Sequence, residues 1–131
     1  MTKSDVIERW LQKAKNDMKI ALDELETEGP VLDMVGFHLQ QFAEKYLKAY
    51  LIYSGRNPSK THSISYLLDQ CIENDPVFKI FLDTRLLELD EFALEIRYEG
   101  GDDIDPDFIK EIIETLKELK RTVEEHMKTA G

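Results

Sequence analysis

Apolar residues recur at every third or fourth position through nearly the whole chain, and no β-branched run alternates with polar residues over a strand's length. That spacing lies near the 3.6-residue turn of an α-helix, giving each segment one face to bury and one to wet. In the first segment the stripe is Trp10, Leu11, Ala14, Met18, Ala21, Leu22 and Leu25. Lys13, Lys15, Asp17, Lys19, Glu24 and Glu26 are mostly assigned to the outer face. Ser4 offers an N-cap, and Gly29-Pro30 offers a stop.

The second segment starts at a candidate cap, Asp33, and runs through Val35, Phe37, Leu39, Phe42, Ala43, Tyr46, Leu47, Tyr50 and Leu51 to Ser54-Gly55. Its apolar stripe is wide, which predicts a central helix touching several neighbours. A polar loop from Arg56 to Thr61 leads to a short helix from about Ser63 to Glu73, carrying Ile64, Leu67, Leu68 and Cys71. Asn74-Asp75-Pro76 signals another start, with proline at a first helical position. Phe78, Phe81, Leu82, Leu86, Leu89, Phe92, Ala93 and Ile96 then predict a fourth helix, closing at Tyr98-Glu99-Gly100-Gly101. After Asp105-Pro106 the last stripe is Ile109, Ile112, Ile113, Leu116, Leu119, Val123 and Met127. The expected fold is all-α, an antiparallel up-and-down helical bundle of four long helices and one short one. A single domain over residues 1–131 is expected from the length. Helices of 20-odd residues are roughly 30 Å long, and so slender a bundle favours pairing with another.

Charge narrows the function classes. With 27 Asp+Glu against 17 Lys+Arg the formal net charge is −10, which argues against generic coating of nucleic acid while leaving room for a local basic site. There is no apolar run of about 18 residues, so no membrane span is expected. The N-terminus opens into the amphipathic pattern without a signal-peptide core. The single cysteine, Cys71, cannot form an internal disulfide, and its apolar helix face predicts a buried, inert thiol. The expected compartment is the cytoplasm.

Bundle-core metal sites need Glu-x-x-His pairs, so that two ligands three residues apart face one axis. The residues three before His38, His62 and His126 are Val35, Ser59 and Val123, so no metal is expected. Gly55 to Thr61 mimics a phosphate loop but lacks the second glycine, is one residue short and follows a helix. No Gly-x-Ser-x-Gly is present. Two polar stretches remain. One holds Arg56, Lys60, Thr61, His62 and Ser63; the other holds Arg97 and Tyr98, followed by Asp102, Asp103, Ile104 and Asp105. Arg97 is a forked, permanently charged donor suited to phosphate, His62 an imidazole, and Tyr98 a ring able to stack or donate. A structural reading stands beside this one: Arg97 satisfying the last carbonyls of a helix, His62 helping to cap the third.

Four blocks then carry a family resemblance. They are Trp10-Leu-x-x-Ala14-x-x-Asp17-x-x-x-Ala21, then Phe37-x-x-Gln40-Gln41-x-Ala43-Glu44-Lys45-x-Leu47-Lys48-Ala49, then Gly55-x-x-Pro58-x-Lys60-Thr61-His62-Ser63-Ile64, and finally Arg97-Tyr98. In this order the chain resembles the HEPN domain, the higher eukaryotes and prokaryotes nucleotide-binding domain, of the stand-alone prokaryotic type. The resemblance implies an up-and-down helical bundle, a homodimer, and a frequent pairing with a minimal nucleotidyltransferase as toxin and antitoxin. Some members are metal-independent RNases with an Arg-x4–6-His motif completed across the dimer; others bind nucleotides or act as substrate-binding partners.

This sequence departs from the RNase motif. With Arg97 in the arginine position, the histidine should fall at 102 to 104, which are Asp102, Asp103 and Ile104. The general acid–base is then missing, and the aspartates repel an RNA backbone. A literal Arg-x4-His occurs at Arg121 and His126, in the final turns of the last helix with Glu124 and Glu125 between them. The expectation is therefore a non-catalytic member that binds a nucleotide, partners a nucleotidyltransferase, or does both. Arg97, Tyr98, Lys60, His62 and Arg56 would line its ligand groove. Gln40, Gln41, Glu44, Lys45 and Lys48 would serve packing or a dimer face, Gln41–Lys45 and Glu44–Lys48 being possible i,i+4 pairs. The alternative is an RNase toxin acting through Arg121 and His126.

Overall fold

A computed structural model describes residues 1–58, 60–92 and 104–128, and every regular element among them is helical. Helix α1 spans Lys3–Leu25. Thr2, not Ser4, caps it: the Thr2 hydroxyl accepts from the Asp5 amide at 3.1 Å while the Asp5 carboxylate accepts from the Thr2 amide at 3.0 Å. The helix stops ahead of Gly29-Pro30, because Thr27 donates its hydroxyl to the Glu24 carbonyl at 2.8 Å and turns the chain. The Glu24 carboxylate also takes the Val31 amide at 2.9 Å, setting the entry to helix α2, Leu32–Tyr53. Val31 is the N-cap without a side-chain bond, and Asp33 lies inside the first turn. At the other end Gly55 adopts φ +86°, a conformation that costs glycine little. This lets the Gly55 and Arg56 amides reach the Ile52 and Leu51 carbonyls at 3.0 and 2.9 Å.

Helix α3 spans Ile64–Asn74 and is capped by the Ser63 hydroxyl, which accepts from the Tyr66 amide at 3.2 Å. Asp90, far along the chain, accepts from the Ile64 and Ser65 amides at 2.7 and 3.2 Å, placing a negative charge at the helix start.

The predicted fourth α-helix is not formed over its described part. Two 3-10 segments, Pro76–Asp83 and Leu86–Phe92, replace it. Thr84 breaks the run: its backbone is extended, its hydroxyl donates to the Phe81 carbonyl at 2.7 Å, and it accepts from the Leu86 amide at 3.2 Å. The fully buried Phe78 and Phe81 stand three apart, as do the buried Leu86, Leu89 and Phe92, which suits a helix with three residues per turn. Leu82, one position off that register, is exposed. Helix α4, Pro106–Lys128, begins where Asp105 accepts from the Asp107 amide at 2.9 Å. The described chain therefore has three long α-helices, one short one and two 3-10 segments, where four long and one short were expected.

The elements run up and down. Lys3 lies over the Tyr53 ring, Trp10 meets Lys48, and Asp17 meets Lys45 and His38, so α1 and α2 are antiparallel. Phe78 contacts Tyr50 at one end (ring centroids 4.6 Å), and Phe92 stacks on Phe108 at the other (5.9 Å). The 76–92 stretch thus opposes both α2 and α4. Helix α2 is central, as its wide stripe predicts, contributing Leu39, Phe42, Tyr46, Leu47 and Leu51 to one apolar cluster shared by all elements. Gly36 allows the close approach of Phe92, whose ring would lie 2.2 Å from a Cβ placed there. Two sequence assignments on α1 are reversed: Leu22 is exposed, and Asp17 is buried. No described helix is long and apolar enough to cross a membrane.

Candidate functional site

On α2 the side chains at 40, 44 and 48 stand one above another, as i,i+4 spacing requires. The line faces inward: Gln40, Glu44 and Lys48 are all buried within the chain. Burying a charge is costly unless it is paired and hydrogen-bonded, and here each one is. The Lys48 ammonium sits 3.0 Å from one Glu44 oxygen. The other Glu44 oxygen lies 3.0 Å from His62 Nδ1. Gln40 donates to the His62 carbonyl at 2.8 Å, pinning the loop before α3 against the ridge. With Glu44 ionised, His62 Nδ1 carries the proton and donates, leaving Nε2 for another partner. The His62 side chain is 62% exposed although the carboxylate holding it is only 4% exposed. On its far side Lys48 lies 5.6 Å from the centroid of the half-buried Trp10 ring, a cation–π contact tying the ridge to α1.

A second carboxylate-centred cluster lies further along the hairpin. Asp17 of α1 receives His38 Nδ1 at 2.8 Å on one oxygen and the Lys45 ammonium on the other, bolting α1 to α2. Lys45 turns to Asp17 instead of Gln41, and the Gln41 side-chain amide donates to Gln40 Oε1 at 2.8 Å. The Glu44–Lys48 pair forms; the suggested Gln41–Lys45 pair does not.

The remaining candidates divide. Arg56 is committed to α3, donating to the Gln70 carbonyl at 3.1 Å and the Glu73 carboxylate at 3.2 Å, so it braces the loop. Lys60 is exposed on the same loop as His62. Arg97, Tyr98, Asp102 and Asp103 lie outside the described residues, and Ile104 is half-buried. Arg121 and His126, five residues apart on α4, point about 140° apart around its axis. Arg121 is paired with Glu118, whereas His126 Nδ1 meets the Thr122 carbonyl at 2.8 Å and its ring lies near Phe78. The structure does not bring these two together. Cys71 is buried with its thiol directed at the Leu47 carbonyl, and burial pushes that thiol up to about 12. Tyr46, donating to Glu124 at 3.2 Å, is likewise raised, first by burial and then by that neighbouring carboxylate.

Sequence reasoning missed Asp17 as a buried anchor, His38 as its partner, and Trp10 as the platform beside Lys48. A signal was present for Asp17, which stands three after Ala14 and four before Ala21 on the buried stripe. Among the described residues no three His, Cys, Asp or Glu side chains gather as metal ligands. The arrangement can present one oriented imidazole, backed by a buried ion pair, to an anionic or hydrogen-bonding ligand. No curated protein and no solved structure matches the chain. The model of the HEPN domain, however, matches residues 7–126, and the chain belongs to the HEPN domain family.

Proposed function

We propose that this protein is a non-catalytic HEPN member that binds a nucleotide and serves as the partner subunit of a minimal nucleotidyltransferase in a two-component pair. The observation that carries this reading is the exposed His62 imidazole, held by buried Glu44, which is itself paired with Lys48, on a loop that also carries exposed Lys60. Such a group is oriented before a ligand arrives, so little conformational freedom is lost on binding. Arg97 and Tyr98 complete the proposed groove on sequence grounds. Against RNA cleavage stand Asp102 and Asp103 at the family's histidine position and the divergence of Arg121 and His126 on α4.

Calorimetric titration with nucleoside mono- and diphosphates tests the reading. Saturable binding is expected, weakened about tenfold by His62→Ala or Arg97→Ala, in line with the loss of one charge-assisted contact. Failure of every nucleotide to bind overturns the nucleotide half of the proposal. Cleavage of RNA by the purified protein in EDTA, abolished by His126→Ala, overturns the non-catalytic half. Light scattering of a mixture with a minimal nucleotidyltransferase tests the pairing, and two unshifted species would refute it.

A further inference from the structure

Along α1 a second feature borders the same ridge. Val6, Arg9, Trp10 and Lys13 stand at i, i+3, i+4 and i+7, sharing one side of the helix next to the buried stripe. They line an open recess of about 210 Å³ with an apolar floor. Its charge is unusual for a chain of net −10. Lys19, two turns on, is neutralised by Asp23 at 2.5 Å. Arg9 and Lys13, in contrast, have no carboxylate within 4.0 Å among the described residues; Arg9 meets only the Met1 sulfur at 3.3 Å. The Trp10 ring is held from the ridge side by Lys48, itself fixed on Glu44. An indole so held has little freedom left to lose when something stacks on it.

We propose that the Trp10 recess is the base-binding subsite for the nucleotide, the ring stacking on the indole while Arg9 and Lys13 offset phosphate charge from the α1 side. This rests on the nucleotide-binding reading above and says where on the chain the base sits. An aromatic floor attracts any planar ring, since every base has a π-face, and the two flanking cations select a ring that carries an anion. Both features are needed. A bare sugar phosphate lacks the ring, and a nucleoside lacks the charge.

Trp10 is the chain's only tryptophan, so its emission, excited apart from the tyrosines, reports on this recess alone. The full chain is titrated with a nucleoside monophosphate, the matching nucleoside, ribose 5-phosphate and inorganic phosphate, with calorimetry alongside. The expected result is a saturable change in Trp10 emission with the nucleotide at the midpoint found by calorimetry, a much weaker one with the nucleoside, and none with the two phosphates. Arg9→Gln and Lys13→Gln, both on the surface, should raise the nucleotide midpoint several-fold and leave the nucleoside midpoint unchanged. Trp10→Phe, which keeps a ring against Lys48, should retain part of the affinity, and Trp10→Ala should lose about tenfold or more. Calorimetric nucleotide binding with silent Trp10 emission and unaffected Arg9 and Lys13 variants overturns the subsite and leaves the nucleotide reading standing. No calorimetric binding of any nucleotide overturns both. An equal emission change with inorganic phosphate overturns base stacking.

Discussion

The α1–α2 hairpin anchors the same chemical unit twice, and the two copies differ in how far they open to solvent. Each has a buried carboxylate meeting one lysine and one histidine: Asp17 with Lys45 and His38, Glu44 with Lys48 and His62. The difference lies in where the histidine comes from. His38 belongs to α2 itself, and its side chain is 19% exposed, so the Asp17 unit is closed and joins two helices. His62 arrives from the loop after α2 and stays 62% exposed, so the Glu44 unit ends at the surface. A buried pair inside a helical hairpin orders the fold; one with an exposed imidazole at its end can also present a group to a ligand. Geometry separates the closed unit from the one proposed to bind, because the residue types are nearly identical.

Substitutions should pull the two units apart, beginning with the largest effect. Asp17→Ala leaves Lys45 and His38 facing an apolar interface with no counter-charge. It should cost about 3–5 kcal/mol, a large share of the stability of a domain this size, read from urea melts. Glu44→Gln keeps an oxygen for His62 but strands the Lys48 charge; a loss of about 2 kcal/mol is expected from the same melts. His38→Ala removes one hydrogen bond to buried Asp17 while Lys45 remains, and should cost about 1 kcal/mol. His62→Ala, at an exposed site, should change stability by less than about 0.5 kcal/mol while weakening nucleotide binding as described above. Equal stability losses for the two histidine variants would erase the distinction; a binding defect confined to His62→Ala would sharpen it.

Much of the fold is legible in the chain, for identifiable reasons. The stripes of α1, α2 and α4 have helical period and enough length for that period to be unambiguous, and Gly55 marks a true left-handed stop. The 76–92 stretch is where period alone misleads. Phe78, Phe81, Leu86, Leu89 and Phe92 fit three residues per turn as well as they fit 3.6 over so few turns. The hydroxyl of Thr84, bonding backward and forward, decides between them. Caps slipped for a similar reason. Ser4 and Thr2 are both eligible, and Thr2 wins because Asp5 stands three residues after it and completes a reciprocal pair.

At the candidate site the legible part was a set of residue types, not their partners. The block around Gln40, Glu44 and Lys48 and the loop carrying Lys60 and His62 stand out in the sequence, yet nothing in it says that His62 closes onto Glu44 across 18 positions. Arg56 illustrates the converse. It has the right charge in the right loop, but α3 offers it a carbonyl and a carboxylate, so it is spent on bracing.

The sequence by itself determined that this chain is helical, acidic and a HEPN member, because period, charge and ordered motifs are local properties written along one dimension. Only the tertiary structure decided that Asp17 is internal, that Lys48 lies between Glu44 and Trp10, and that His62 is held yet exposed. Those facts depend on which side chains meet when helices distant in sequence come together, and on how much water is left around each charge once they have.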